Sequence, residues 1–489
     1  MNDPVVVVGG GVAGLGAAWA LHRAGGPVQL LEAGSEVGGV VRSRAGWEAG
    51  DLAVAPRGPE DLPLEFGPQT LSTRDPELLR AFRELGLEDR MRKADAAGGR
   101  RYVVQNGRPV AVPHGPGDFL ASPLLSASAK LRLLGEPFRR RGQGHGTAAL
   151  DESVASFVRR RFGPEVLDRL VDPFVSGVFA GDPEKLALGA VFPDLVRAEA
   201  SHGSVVRGMM AQARAARRER GGEPRTPSSI LSFRGGLQSW PLAVAEALGP
   251  GAVRRSARVV AVERASEGRD GWRVAWEEPS GSGSSVTRRE IRAGAVVLAT
   301  PAPASARLLR TLDPGAAEAL AGIPYAPVSV VHLVWPRSAV AHPVDGFGVL
   351  VPSGEGRRIL GSLWPGTLFP GRIPEDLVVT ANFVGGARTP ERAHLADEEM
   401  LAMVREELGD LLGVRGEPVL GRVQRWPEAI PQYVAGHAGR VEEVARAEDR
   451  LPGLFLAGNW RSGVSLGAAW TSGIEAGGRG AAVAGCRVG

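Results

Sequence analysis

Three glycines at fixed spacing follow the first apolar run of the chain, and they suit the binding of phosphate groups. The run Val5–Val8 leads directly into Gly9, Gly11 and Gly14, a G-x-G-x-x-G pattern between a predicted strand and a predicted helix. In this setting Gly9 permits a tight turn and Gly11 lets the backbone approach a pyrophosphate. Gly14 lets the helix pack closely on the strand, and the helix N-terminus offers unpaired N–H groups to the phosphates.

A carboxylate stands where a ribose would need one. Glu32 directly follows the second apolar run, Val28–Leu31, and lies eighteen residues beyond Gly14. An acid at this position can accept hydrogen bonds from both ribose hydroxyls, and Ala33 is predicted to lie beside the same nucleotide. The strand, the helix and the acid together predict a dinucleotide site. The alternative is a glycine-rich turn without a ligand.

A second glycine pair identifies the dinucleotide. Gly38 and Gly39 follow soon after the acid, and this resembles the extended FAD fingerprint of glutathione-reductase-like and amine-oxidase-like flavoproteins. Arg42 then meets a cofactor phosphate, unless it is an ordinary surface arginine. The nearest imitation of a second fingerprint, at residues 142–146, has the wrong spacing and follows an arginine run. We therefore expect one dinucleotide, FAD, and an electron acceptor that is oxygen or a quinone.

Composition limits the class of protein. A chain of 489 residues predicts two or three domains. The single cysteine, Cys486, excludes disulfides within the chain and cysteine metal clusters, and it favours a reducing compartment. The eight histidines show no metal-ligand spacing, so no metal site is expected. We expect neither a signal peptide nor a membrane span, because the first strand begins at once and no apolar run is long enough.

The cations carry little information about partners. The net charge is only +4, and Lys93, Lys130 and Lys185 are the only lysines among 58 cationic side chains. This arginine bias is typical of a GC-rich genome. We therefore predict no nucleic-acid binding.

The order of the patterns predicts an α/β fold that is α+β in part. A Rossmann-type FAD/NAD(P)-binding domain is discontinuous in sequence and is completed by a β-rich substrate domain and a helical, membrane-associated domain. The predicted FAD domain comprises 1–92, 229–304 and 424–489, the substrate domain 93–114 and 305–423, and the helical domain 115–228. Predicted helices cover 150–162, 164–175 and 183–198, and a polar stretch at 214–229 is predicted to be an exposed linker.

Over nearly its whole length the chain resembles the oxygen-dependent protoporphyrinogen oxidases, an FAD-dependent family related to monoamine oxidase. Motifs that resemble those of the family occur in the same order at 65–68, 177–183, 233–237, 323–328, 346–352, 383–386, 430–433 and 458–467. Three departures leave fine cofactor contacts open. Gln69 stands where the family often has Asn or Arg, Ala468 and Ala469 replace a charged residue and a cysteine, and the insertion at 48–63 is long.

The resemblance implies positions for the substrate. An arginine that anchors a substrate propionate maps to Arg101, with Arg100 as an adjacent rival; a guanidinium binds a carboxylate through two hydrogen bonds. Leu350, Leu363 and Phe383 map to the residues that sandwich the tetrapyrrole ring, although ordinary β-core packing would also explain them. Gly177 maps to a glycine beside the methylene bridges, unless it marks a plain turn.

Further cofactor contacts follow from the same resemblance. They map to Gly67, Pro68, Val260, Trp426, Gly458, Val464 and Leu466.

The resemblance implies a six-electron oxidation of protoporphyrinogen IX to protoporphyrin IX, the penultimate step of haem biosynthesis. A porphyrinogen methylene bridge loses hydride to the flavin N5, and O2 reoxidises the flavin to give H2O2. The flavin carries the chemistry, so no acid or base side chain is assigned. Coproporphyrinogen III oxidation to coproporphyrin III is an alternative substrate assignment.

Four other functions are weighed against this one. A flavin amine oxidase typically needs a lysine at the flavin, and this chain has none after Lys185, although Trp460 and Trp470 offer an aromatic pair. Carotenoid desaturation and a non-catalytic porphyrin carrier are the second and third. A hydrolase is rejected, because the G-x-S-x-G run at 463–467 is followed by no Asp or His.

Partners and location rest mostly on the resemblance. The apolar residues of 119–125 and 130–134 stand beside the arginines at 139–141, a combination that suits an anionic membrane surface; a buried helix with a charged end is the alternative. We expect a cytoplasmic protein held peripherally at the inner face of the cell membrane. A homodimer and hand-over of the product to ferrochelatase are further expectations.

Overall fold

The computed structural model describes residues 3–45, 62–72, 75–139, 150–219, 230–265, 271–280 and 285–485. Five features singled out in the sequence lie wholly or partly outside these residues: the imitation fingerprint at 142–146, Cys486, most of the insertion at 48–63, the second part of the predicted linker, and two of the three arginines at 139–141.

The strands are β1 Val5–Val8, β2 Val28–Leu31, β3 Ser43–Ala45, β4 Pro63–Glu65, β5 Leu71–Ser72, β6 Met91–Lys93, β7 Arg101–Gln105, β8 Arg108–Ala111, β9 Ile230–Phe233, β10 Val253–Arg254, β11 Arg258–Arg264, β12 Trp272–Pro279, β13 Val286–Ala293, β14 Ala295–Leu298, β15 Tyr325–Pro336, β16 Gly348–Leu350, β17 Gly361–Leu363, β18 Leu377–Gly385, β19 Leu420–Pro431 and β20 Leu454–Leu456.

The helices are α1 Val12–Arg23, α2 Pro76–Glu84, α3 Pro116–Ala121, α4 Ala127–Leu134, α5 Val154–Arg161, α6 Pro164–Val166, α7 Asp172–Phe179, α8 Leu188–Val191, α9 Pro193–His202, α10 Val205–Glu219, α11 Ser239–Ala247, α12 Ala302–Leu309, α13 Pro314–Ala321, α14 Pro365–Leu368, α15 Asp397–Leu412, α16 His437–Arg450, α17 Asn459–Ser462 and α18 Leu466–Val483.

The first sheet is the predicted Rossmann sheet, and it is discontinuous in sequence. Its order is β10-β2-β1-β14-β20, and every neighbouring pair is parallel. Helices cover parallel sheets on both faces, which explains why these strands are continuous apolar runs; all four valines of β1 are buried. The predicted α/β class is confirmed, whereas the domain boundaries drawn from the sequence stay predictions.

Helices α1 and α18 pack so closely that only small residues fit between them. A Cβ on Gly473 would lie 1.9 Å from the Ala13 carbonyl oxygen, and one on Gly477 would lie 2.3 Å from that of Ala17. Helix α18, which is rich in small residues, therefore supports the helix that begins at the glycine loop.

A second, seven-stranded sheet has the order β19-β15-β18-β17-β16-β7-β8. One face is closed by α15, whose Met400, Val404 and Leu408 pack in one apolar cluster with Val331 and Trp335 of β15. Because side chains alternate along a strand, the intervening residues of β15, β16, β17 and β18 lie on the opposite face. We call this second face the open face.

The segment from α3 to α10 is helical, and four of its predicted boundaries were wrong. The helix predicted over 150–162 is the shorter α5, Val154–Arg161. The helix predicted over 164–175 continues to Phe179 through a π-helical turn at Leu167–Val171. The helix predicted over 183–198 is two helices, α8 and α9, because Pro193 begins the second. Residues 214–219 of the predicted linker form the last turns of α10. Within the described ranges, no helix has both the length and the apolar character needed to cross a membrane.

Candidate active site

The first glycine loop has the geometry expected for phosphate binding. Gly9 has a φ of +102°, and a Cβ there would lie 2.9 Å from the Ala299 carbonyl oxygen. A Cβ on Gly14 would lie 1.8 Å from the Gly9 carbonyl oxygen. Above Gly11 the space is open, with no atom within 4 Å of an ideal Cβ. The backbone is therefore accessible at the predicted pyrophosphate position, beside the start of α1.

The second glycine pair lies directly against the first loop. Gly38 forms a β-bridge with Gly11, and its N–H donates to the Gly10 carbonyl oxygen at 2.8 Å. A Cβ on Gly39 would lie 3.2 Å from the Cα of Gly11. These two loops, Gly9–Gly14 and Gly38–Gly39, form one surface, which we call the cradle.

Glu32 reaches from the end of β2 to the cradle. Its carboxylate accepts hydrogen bonds from the backbone N–H groups of Gly10 and Gly34, each at 2.6 Å. A carboxylate has about four acceptor positions, so two remain for ribose hydroxyls. The Glu32 backbone carbonyl oxygen accepts a hydrogen bond from the Ala257 N–H, which directly precedes β11. In β11, Val260 lies at an irregularity of the strand and is 36% exposed. Ala33 is exposed at the same edge.

The turn at 65–68 packs against the cradle and against the second sheet. A Cβ on Gly67 would lie 1.9 Å from the Val40 carbonyl oxygen, immediately beyond Gly39. Trp426 of β19 donates from its ring nitrogen to the Phe66 carbonyl oxygen at 2.6 Å. The Arg42 guanidinium lies 5.3 Å from the centre of the Trp426 ring. Arg42 and Trp426, two of the predicted cofactor residues, are therefore neighbours.

Gln69, which departs from the family pattern, stabilises the same turn. Its side-chain amide donates to the carbonyl oxygens of Glu65 at 2.6 Å and Gly67 at 3.0 Å. The departure therefore has a structural role next to Gly67 and Pro68.

The C-terminal motif enters the site after β20. Gly458 donates from its backbone N–H to the Ser472 hydroxyl at 3.2 Å, and Val464 packs on the helical segment. Leu466 is the first residue of α18, and the Ser465 hydroxyl accepts from the Ala468 N–H at 3.1 Å as its N-cap. The serine of the G-x-S-x-G run is thus a helix cap, which agrees with the rejection of a hydrolase.

Two buried titratable side chains behind this motif, His437 and Tyr433, are neutral at pH 7. Burial lowers the pKa of His437 to about 4 and raises the pKa of Tyr433 above its ordinary value. The two rings stack 4.1 Å apart, and the Tyr433 hydroxyl donates to the Asn459 carbonyl oxygen. They therefore support the motif without adding charge to it.

The residues gathered at the cradle fit FAD. Open space above Gly11, the start of α1 and the Glu32 carboxylate provide for the pyrophosphate and the ribose. Gly67 and Trp426 connect the cradle to the second sheet.

The predicted ring-sandwiching residues share the open face of that sheet. Leu350 is paired with Gly361, Gly361 with Phe383, and Leu363 with Gly348. Residues paired across strands point to the same side, so Leu350, Leu363 and Phe383 form one surface. All three are only half-buried, which leaves apolar surface available for a flat molecule.

Gly177 of α7 meets this surface. An ideal Cβ there would lie 2.3 Å from a terminal methyl carbon of Leu350. Helix α7 is held in place by two residues that sequence reasoning missed, Asp172 and Arg388. Asp172 accepts from the Ser353 N–H at 2.7 Å and pairs with Arg388 at 2.5 Å. The one available signal was an acidic residue within an otherwise apolar helix.

The structure separates the two rival arginines. Arg101 is paired in register with Gly348, so it lies on the open face, and it is exposed. Its guanidinium lies 5.5 Å from the centre of the Phe347 ring, and it has no carboxylate partner among the described residues. Arg100 instead forms an ion pair with Asp345, whose other oxygen accepts from the Tyr102 hydroxyl at 2.7 Å.

Comparison with known proteins agrees with this geometry. The family described as "Flavin containing amine oxidoreductase" matches residues 12–480. The chain belongs to this family. It is therefore an FAD-dependent oxidoreductase, and the predicted cofactor is confirmed.

Individual relatives confirm the resemblance to protoporphyrinogen oxidases. The chain is 33% identical over 480 residues to protoporphyrinogen oxidase 2 of Arabidopsis thaliana, covering 95% of this chain and 91% of the relative. It is 31% identical over 500 residues to coproporphyrinogen III oxidase of Propionibacterium freudenreichii, covering 94% and 88%.

Solved structures share the fold. A candidate protoporphyrinogen oxidase from Exiguobacterium has a TM-score of 0.77 at 23% identity, covering 97% of this chain and 98% of that one. Cyclohexylamine oxidase from Brevibacterium oxydans has a TM-score of 0.65 at 19% identity, with 99% of each chain covered.

Proposed function

We propose that this oxidoreductase converts protoporphyrinogen IX to protoporphyrin IX, with FAD as hydride acceptor and O2 as final oxidant. The observation that carries the proposal is the open face. It combines half-buried apolar side chains at Leu350, Leu363 and Phe383 with an exposed arginine, Arg101, at the β7 side of the sheet. A tetrapyrrole needs apolar walls and a cation for its propionates.

The residues of this chain orient the substrate. FAD supplies, when bound, a two-electron acceptor that O2 can regenerate with release of H2O2. Arg101 binds a propionate, and the three apolar side chains exclude water from one face of the macrocycle. Gly177, which has no side chain, lets α7 pack directly against Leu350 at the edge of this surface. Three such two-electron steps complete the oxidation, and positioning accounts for the protein's contribution to the rate.

Two alternatives have specific support. The Propionibacterium relative is named coproporphyrinogen III oxidase. The first alternative is therefore that the same site oxidises coproporphyrinogen III, which carries four propionates. The family name and the cyclohexylamine oxidase fold favour an amine substrate, but the absence of any lysine after Lys185 in the sequence argues against it.

One experiment separates these substrates. The purified holoenzyme is offered protoporphyrinogen IX, coproporphyrinogen III or cyclohexylamine in air, and porphyrin fluorescence, H2O2 and flavin absorbance are followed. A heat-treated sample controls for spontaneous porphyrinogen oxidation. We expect porphyrin and H2O2 from protoporphyrinogen IX at the highest kcat/KM. Flavin reduction by the amine alone, without enzymatic porphyrin formation, would overturn the proposal.

We also propose peripheral binding of the helical segment to the inner face of the cell membrane. Large apolar side chains are exposed there at Leu120 (66%), Leu131 (70%), Leu134 (61%) and Phe138 (84%). The alternative of a buried helix describes only part of this stretch, since Leu124 and Leu125 are buried, whereas Ala129 is the one buried residue of α4. Lys130 lies beside these side chains and donates to the carbonyl oxygens of Leu120 and Ser122. Apolar surface next to a cation suits an anionic lipid surface.

Vesicle co-sedimentation tests the membrane proposal. We expect binding to vesicles with anionic lipid, weaker binding to neutral vesicles, and release when Leu131 and Phe138 are both changed to Ser. Equal recovery of the wild type and the double variant in the supernatant would contradict it. The homodimer and the hand-over to ferrochelatase stay predictions, to be tested by the mass of the holoenzyme in solution and by co-purification.

A further inference from the structure

Glu65 is a buried carboxylate at the junction between the cradle and the second sheet. It is 2% exposed. One carboxylate oxygen accepts from the Ser43 hydroxyl at 2.5 Å, and the other accepts from the Leu237 N–H at 2.9 Å. Its own carbonyl oxygen is 2.8 Å from the His332 ring nitrogen, on β15. A single residue therefore joins the segment after Gly38–Gly39, the loop at 233–237 and the second sheet.

Arg372 completes this junction from the other side. It lies between α14 and β18, the strand that carries Phe383, and its side chain is 7% exposed. Its guanidinium pairs with the Glu65 carboxylate at 2.6 Å and donates to the Ser232 hydroxyl at 3.0 Å. Its backbone carbonyl oxygen accepts from the Leu62 N–H at 3.2 Å. The arginine thus links β18 to β4 and β9.

The contacts leave little freedom for movement. A Cβ on Gly236 would lie 2.4 Å from the Ser43 hydroxyl oxygen and 3.1 Å from a Glu65 carboxylate oxygen, so the loop at 233–237 is seated directly on the pair. Gly67, two residues beyond Glu65, is in contact with Val40. Any displacement of Glu65 moves the turn at 65–68 relative to the cradle.

We propose that Glu65 and Arg372 are positioning residues that hold the bound flavin at a set distance from the open face. Neither residue is among the predicted cofactor or substrate contacts. It acts through the turn at 65–68, the loop at 233–237 and β18. This inference rests on the proposed function only in taking a porphyrinogen as the substrate that reduces the flavin.

A positioning role and a purely structural role predict different effects of removing the pair on protein stability and on the rate of hydride transfer. A buried ion pair adds little stability relative to apolar replacements, whereas removal of one partner leaves an unpaired buried charge. Removing both charges together should therefore spare the fold more than removing either one. A positioning role predicts that hydride transfer stays impaired in that double variant, because a small misplacement of reacting atoms slows the reaction on the order of 100-fold.

The test uses the holoenzyme with Glu65→Gln combined with Arg372→Met. Glu407→Gln is the matched control, since Glu407 is 4% exposed and pairs with Arg357 and Arg358 at α15, away from the open face. We expect wild-type FAD content, a shifted visible flavin spectrum and midpoint potential, and a flavin-reduction rate on the order of 10- to 100-fold lower. The control should match the wild type in all three.

Several outcomes decide the proposal. A double variant with wild-type spectrum, potential and reduction rate would overturn it, as would an equal loss of rate in Glu407→Gln. If the double variant fails to retain FAD, the rate of flavin reduction is measured in Arg372→Lys instead. This variant keeps the charge but not the two-pronged geometry, so slow flavin reduction supports the proposal and a wild-type rate refutes it. If the wild type oxidises no porphyrinogen, the spectrum and the potential still decide, independently of the proposed function.

Discussion

The cradle and the open face recognise their ligands in opposite ways. The cradle is built from backbone: Gly9, Gly11, Gly14, Gly38 and Gly39 bring main-chain atoms together at distances where a single Cβ would collide at most positions. The open face is built from side chains on separate strands, and those side chains remain half-buried. The first region tolerates almost no added atom, whereas the second is a surface whose shape can be adjusted.

This difference indicates that substrate specificity resides in the open face rather than in the cradle. A backbone surface fits a chemical group that all members of a family share, because its geometry depends on glycine positions rather than on side-chain choice. A side-chain surface can change with each substitution. We therefore expect cradle substitutions to abolish cofactor binding and open-face substitutions to alter substrate kinetics by graded amounts. Four experiments test that distinction.

Gly14→Ala should have the largest effect. The new Cβ would lie 1.8 Å from the Gly9 carbonyl oxygen, and a backbone atom cannot give way without loss of the turn. We expect loss of bound FAD in absorbance spectra and destabilisation of about 3 kcal/mol or more. Gly478→Ala in α18 is the control, since no atom lies within 4 Å of its ideal Cβ. Normal FAD content in Gly14→Ala would contradict the claim that the cradle tolerates almost no added atom.

Arg101→Ala should impair substrate binding but not the cofactor. Loss of a charged hydrogen-bonding group costs about 2 kcal/mol, so KM for the porphyrinogen should rise about 30-fold with full FAD content. Arg101→Lys should recover only part of this loss. Arg100→Ala is the matched control, because it breaks an exposed ion pair with Asp345 that contributes about 1 kcal/mol or less. A larger rise in KM for Arg100→Ala than for Arg101→Ala would show that Arg100 binds the propionate.

His332 tests the contact between the two regions through pH. Burial holds the pKa of His332 down to about 4, below its ordinary value of 6.5. Because the unfolded chain binds the proton more readily, this residue's contribution is complete above pH 6.5 and declines as the pH falls toward 4. At pH 5 the loss is about 2 kcal/mol. The temperature of flavin release, measured from pH 7.5 to 5, should fall less in His332→Gln; an identical fall would contradict this assignment.

Gly177→Ala should have the smallest effect. Its Cβ would meet a terminal carbon of Leu350 at 2.3 Å, and the end of a leucine side chain can move. We expect KM for the porphyrinogen to rise about fivefold, which corresponds to about 1 kcal/mol, with unchanged FAD content. Adding Leu350→Val should restore part of the affinity. Loss of FAD instead would show that Gly177 belongs to the cofactor region.

Much of the fold could be predicted, and the failures have local causes. The Rossmann strands were predictable because buried parallel strands are continuous apolar runs, as in Val5–Val8 and Ala295–Leu298. The helical segment was harder. A π-helical turn carries the helix of 164–179 past its predicted end, and Pro193 divides another helix. Apolar periodicity does not distinguish one continuous helix from two helices joined at a proline.

Local features of the sequence were enough to predict the cofactor. Glycine spacing, the strand before it and Glu32 after it are local features, and a glycine acts through its own backbone wherever the rest of the chain lies. The rest of the site depends on contacts that form when the chain folds. Strand register placed Leu350, Leu363, Phe383 and Arg101 on one face, and long-range packing paired Glu65 with Arg372. Contacts between residues hundreds of positions apart depend on how the strands pair, and no local pattern records that pairing.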